Sequence, residues 1–105
     1  MFEQIKAACE AATAQINAME KADGSAYLTI FFVESEGRSY TRVIRDSINP
    51  KTGEKLGQRS VWCFVDGSGN VWKPAGWKAP AKNFARGTIH QFGNSEFIRR
   101  NRYGF

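Results

Sequence analysis

Apolar residues recur at Phe2, Ile5, Cys9, Ala12, Ile16 and Met19, in alternating steps of three and four that mark one face of an amphipathic helix. The positions between them are mostly Ala, Glu, Gln and Lys, all good helix formers. Lys21 falls in the last turn, where it complements the helix dipole, and Gly24 offers a left-handed stop. A helix of about 20 residues spans roughly 30 Å. Its stripe is narrow, so it either lies flat on a sheet, the commoner outcome, or pairs with a second copy of itself.

Beyond Gly24 the helical period ends. Tyr27 to Val33 is β-rich and apolar on both sides, the pattern of a central strand with one face under a helix. Glu36-Gly37 makes a turn, and Ser39 to Asp46 follows as a second strand. Strand alternation there places Arg42 and Arg45 on opposite faces. Ser47 to Gln58, with its Asn-Pro and Lys-Thr-Gly, reads as a loop of about a dozen residues, long for a small domain. Val61 to Val65 is a third strand, with Val61, Cys63 and Val65 expected on one face and Trp62 and Phe64 on the other. Asp66-Gly67-Ser68-Gly69-Asn70 is a hairpin turn into a short return strand, Val71 to Lys73, which Pro74 ends. Ser95 to Arg102 predicts one or two helical turns capped by Asn94 or Ser95. The expected architecture is α+β. A long N-terminal helix packs on an antiparallel sheet of about four strands, and an irregular basic C-terminal segment follows.

The 105 residues form a single domain, 1–105. A chain of this size buries roughly 60–65% of its unfolded surface, enough for one core. No apolar run approaches the roughly 20 residues of a membrane helix, and the Met-Phe-Glu-Gln start does not resemble a secretory signal. The net charge of +5 is unevenly placed: residues 1–36 carry two lysines against six acids, and residues 37–105 carry 13 basic residues against four acids. Such segregation points to a positive face and an anionic partner. Cys9 and Cys63 read as small core residues of a reducing compartment.

Catalysis, a cofactor and a bound metal are not expected. His90 is the only histidine, and no serine or cysteine stands in a nucleophile context. Two thiols and one histidine do not make the usual zinc site. Asp66 suits turn chemistry, and its loop lacks the later glutamate of a calcium site. Gly67 and Gly69 do not open a helix after a strand, as a dinucleotide fingerprint requires.

Residues 72–87 are different. They hold Lys73, Lys78, Lys82 and Arg86, the rings of Trp72, Trp77 and Phe84, Pro74 and Pro80, and no acid. Prolines at that spacing delete two backbone donors and favour an extended, ordered loop. Cations beside flat rings suit a polyanion with exposed bases, with Trp77 and Phe84 as stacking platforms. In an extended path the four cations stand about 13–18 Å apart, so the loop must fold back to bring them together. Arg42, Arg45 and Arg59 extend the basic face if their strands lie beside the loop; Arg99, Arg100 and Arg102 form a separate arm. Trp62 and Trp72 suit either the core or the surface.

The stretch Ser60–Ile89, with Val71-Trp72-Lys73-Pro74-Ala75 and Trp77-Lys78-Ala79-Pro80-Ala81-Lys82, together with Tyr40-Thr41-Arg42-Val43-Ile44 upstream, resembles a family of small uncharacterised bacteriophage proteins. The resemblance implies a phage origin and the host cytoplasm, and no activity. The expected function is binding of nucleic acid or nucleotides. The alternatives are inhibition of a host protein through an acidic surface, and sequestration of small anionic signal nucleotides. A homodimer is a further candidate assembly, since Phe31 and Phe32 fall on opposite faces and one helix covers one face.

Overall fold

The stripe from Phe2 to Met19 forms helix α1, Phe2–Ala22, in the computed structural model, which describes residues 1–37 and 39–105. Gly24 stops it in the left-handed region at φ +73°. Five strands follow as an antiparallel meander in chain order: β1 Leu28–Glu36, β2 Tyr40–Ile48, β3 Ser60–Asp66, β4 Asn70–Trp72 and β5 Gly87–Thr88. A single 3₁₀ turn, Ile89–Gln91, leads to α2, Ser95–Asn101. Asn94 caps α2 by accepting the Phe97 N–H at 3.0 Å. The C-terminal third is thus more regular than its composition suggests. Gly87 permits this, because a Cβ there would stand 2.5 Å from Gln91 Oε1 and 2.9 Å from the Phe97 ring. No helix among the described residues is long and apolar enough to cross a membrane.

The inner face of the sheet carries the cross-strand row Val33–Val43–Cys63 and the pairs Thr41–Val65 and Val65–Val71. On it lie Ile5, Cys9, Ala12 and Ile16 of α1, with Phe92, Phe97 and Ile98 from the C-terminal segment. The outer face carries Phe32–Ile44–Val61 and Arg42–Phe64–Trp72. The alternation expected for β3 fails at one place. Val43 pairs with Cys63 and Ile44 with Val61, so Trp62 is the extra residue of a bulge. A bulge sets two successive side chains toward the same side, and Trp62 joins Cys63 in the core rather than facing away from it. Its ring stacks on Phe31 at 4.0 Å, and its N–H donates to the Asn101 carbonyl at 2.8 Å. That bond ties α2 to the sheet.

A second bulge, between Val33 and Ser35, makes Glu34 the extra residue of β1. Although its apolar pattern suggests a central strand, β1 lies at the edge of the sheet. Edge strands expose unpaired N–H groups, and α1 covers two of those on β1, which lets an edge strand be apolar on both sides. Thr13 Oγ1 accepts the Phe31 N–H at 3.0 Å. Glu20 accepts the Thr29 N–H and Thr29 Oγ1, each at 2.7 Å. Phe31 is buried beneath α1, whereas Phe32, on the opposite face, is half-buried with Lys55 Nζ 4.2 Å from its ring centre.

Candidate functional site

The loop after β4 turns back on itself. Pro74 and Pro80 face each other across an antiparallel bridge. The Ala79 carbonyl accepts the N–H groups of Ala75 and Gly76, and the Lys73 carbonyl accepts that of Ala81 at 2.7 Å. Each proline occupies a place where its missing donor costs nothing, and Gly76-Trp77-Lys78 becomes the tip. That tip reaches β2, where Arg42 Nη1 donates to the Trp77 carbonyl at 3.2 Å.

At the tip, two guanidinium groups flank one indole. The Arg42 and Arg59 carbons lie 4.9 and 5.3 Å from the Trp77 ring centre, and the Trp77 residue stays 43% exposed. Glu34 accepts from Arg42 Nη2 at 3.2 Å and also pairs with Arg59. Counting formal charges, the two arginines and the carboxylate leave one positive charge beside the ring. Lys78 is exposed at the tip and Lys73 at the neck. Lys82 Nζ stands 5.8 Å from the Tyr40 ring centre, and Tyr40 meets Phe64 edge-on at 6.5 Å. No acid pairs with Lys73, Lys78 or Lys82 among the described residues. Phe84 and Arg86 form a separate pair with 4.0 Å between guanidinium carbon and ring centre. Arg86 Nη1 donates to the Phe105 carbonyl at 3.3 Å, so this pair is anchored to the C-terminal tail. The folded loop therefore collects Arg42, Lys73, Trp77, Lys78 and Lys82 around its tip and neck, with Phe84 and Arg86 on its return limb.

A family model described as a family of unknown function (DUF7717) matches residues 1–103. The chain belongs to that family. Comparison with curated proteins and with solved structures gives no match.

Arg42, Arg59 and Glu34 of the Trp77 cluster of this DUF7717 chain all lie outside the loop motif. Glu34 comes to Arg42 through the β1–β2 pairing, which sets Ser35 opposite Arg42; the Glu36-Gly37 turn was the sequence signal for that hairpin. Arg59 arrives because Ser60, its neighbour, pairs with Arg45 across β2 and β3, a pairing that needs the sheet order. Trp72 is half-buried on the outer face and donates from Nε1 to Asp66 Oδ2 at 3.0 Å.

The remaining reactive groups are occupied or enclosed. Asp66 Oδ1 accepts the N–H groups of Ser68 and Asn70, and Oδ2 accepts Asn70 Nδ2 and Trp72 Nε1. Partial burial pushes this carboxyl up, but those four bonds outweigh it, and its pKa is lowered from 3.8. Both cysteines are free and buried. Burial, with Glu10 adding to it, pushes the Cys9 thiol up to about 12, and burial raises Cys63 as well, helped by Cys9. Both are therefore protonated thiols near neutral pH. His90 is exposed.

Proposed function

We propose that this protein binds single-stranded nucleic acid, or the nucleotide unit of it, through the Trp77 loop. The observation that carries the reading is a half-exposed indole held in place before any ligand arrives, by the Arg42 bond to its own carbonyl and by two flanking guanidinium groups. Preorganised rings lose little entropy on binding. A base stacks on an aromatic ring with little regard to its identity, for about 1–3 kcal/mol. Arg42 and Arg59 offer planar donors suited to phosphate oxygens. Lys73, Lys78 and Lys82 supply further unpaired charge along the loop. The resemblance of the loop to small phage proteins supports a phage origin and a host-cytoplasm setting.

Anisotropy titrations with labelled single- and double-stranded oligonucleotides test this. Single strands are expected to bind more tightly, because only unpaired bases reach the ring. Lys78→Ala and Lys82→Ala are expected to weaken binding on every sequence and to flatten the salt dependence by about 0.7 per lost contact. No binding, or binding indifferent to salt, removes the proposal. A second reading rests on Glu34. Its carboxylate already satisfies Arg42 and Arg59, so carboxylates of an acidic host protein fit the same donors. A partner captured from host lysate that survives nuclease treatment favours that reading.

A further inference from the structure

The Trp77 arrangement has a counterpart elsewhere in the fold. Tyr103 is 76% exposed, and the guanidinium carbons of Arg45 and Arg102 lie 5.2 and 4.9 Å from its ring centre. Arg45 and Arg42 are three residues apart on β2 and so project from opposite faces. The register confirms the placement, since Arg45 pairs with Phe31 of the inner face, whereas Arg42 pairs with Phe64 of the outer face.

The two clusters differ in how their arginines are paired. Glu34 partly neutralises Arg42 and Arg59, but among the described residues no acid forms an ion pair with Arg45 or Arg102. Arg45 Nε is buried without a hydrogen-bond partner, as Arg42 Nε is in the Trp77 cluster. A buried guanidinium donor without a partner is costly. Beside Arg102 lies a cleft of about 350 Å³ lined by Met19, Ala22, Asp23 and Arg99. Arg102 lines this cleft together with Asp23, and Arg99 is paired with Glu96, so by formal charge Arg45, Arg102 and Asp23 leave one positive charge beside Tyr103. Two unpaired planar cations around an exposed ring have the chemistry to take a phosphate and the base attached to it.

The geometry points to a second nucleotide-contact site at Tyr103, Arg45 and Arg102, on the side of the sheet opposite Trp77. This rests on the nucleotide-binding reading above and goes beyond it. A short oligonucleotide occupies either site alone. A longer strand engages both by passing around the sheet, and gains from the linked second contact.

Amide NMR titration of the full chain with a thymidine tetranucleotide at low salt tests this residue by residue. Two separate groups of shifting amides are expected, one at Gly76–Lys78 and one at residues 101–104 with Arg45. Tyr103→Ala is expected to weaken the second group's apparent Kd by about 10-fold while leaving the first within about 2-fold. Trp77→Ala is expected to do the reverse. Because Tyr103 lies outside the core, the variant keeps its fold, and an unchanged spectrum elsewhere checks this. Shifts confined to the Trp77 group overturn the second site and leave the first reading standing. Shifts at residues 101–104 that survive Tyr103→Ala also overturn it. Shifts at neither group overturn both.

Discussion

Glu34 is the residue whose replacement discriminates most sharply between a binding cluster and a structural one. Its carboxylate touches both Arg42 and Arg59 and so opposes any phosphate that approaches the same two guanidinium groups. Glu34→Gln keeps the shape, removes the charge and releases two guanidinium groups. A phosphate on those groups would stand about 6–7 Å from the former carboxylate. With an effective dielectric constant of about 40–80 for this half-exposed site, the lost repulsion is about 0.6–1.3 kcal/mol, or roughly 3- to 9-fold in Kd. The folded state loses little, since partly exposed ion pairs of this kind contribute about 0–1 kcal/mol. The expected signature is therefore tighter binding from a slightly less stable protein. Anisotropy with a labelled single strand at about 20 mM salt reads the affinity, and the gain should shrink below about 2-fold at about 0.5 M salt, where screening reaches only a few ångströms. Urea denaturation reads the stability. An affinity that is unchanged or weaker in Glu34→Gln, at low salt and with the fold intact, refutes the argument that Arg42 and Arg59 meet phosphate.

Three further outcomes follow from the packing. Trp62→Phe removes the bond to Asn101 and leaves a void between Phe31 and Phe92; a loss of about 2–4 kcal/mol in chemical denaturation is expected. Asp66→Ala removes four hydrogen bonds from the β3–β4 turn and should cost about 1–2 kcal/mol near neutral pH. Because the folded pKa of Asp66 lies below its ordinary 3.8, its contribution is complete above that value and is lost as pH falls through the lower one; the gap between wild type and variant should close in acid, and a gap that persists there contradicts the assignment. With the Cys9 thiol pushed up to about 12 and Cys63 raised as well, neither should react with a disulfide reagent near neutral pH in the native state, and both should react in concentrated guanidinium.

Local pattern alone determined much of this protein. The helix from Phe2, its stop at Gly24, the four longer strands and the Asp66 turn were legible because each depends on neighbours a few residues away. So was the peculiarity of residues 72–87, since proline and glycine restrict the backbone wherever the chain goes. Three features were decided only in the assembled fold. The bulge at Trp62 breaks strict alternation because a large ring gains more from the Phe31, Phe92 and Phe105 cluster than from the outer face. Arg59 meets Trp77, and Glu34 pairs with Arg59, because strand pairing brings residues 25 positions apart in the sequence to one point. Tyr103 gains Arg45 beside its neighbour Arg102 because β2 and the tail after α2 lie side by side. In each case the deciding contact spans a separation that periodicity cannot register: residue pattern reports which face a side chain seeks, and only the packed chain settles which side chains share it.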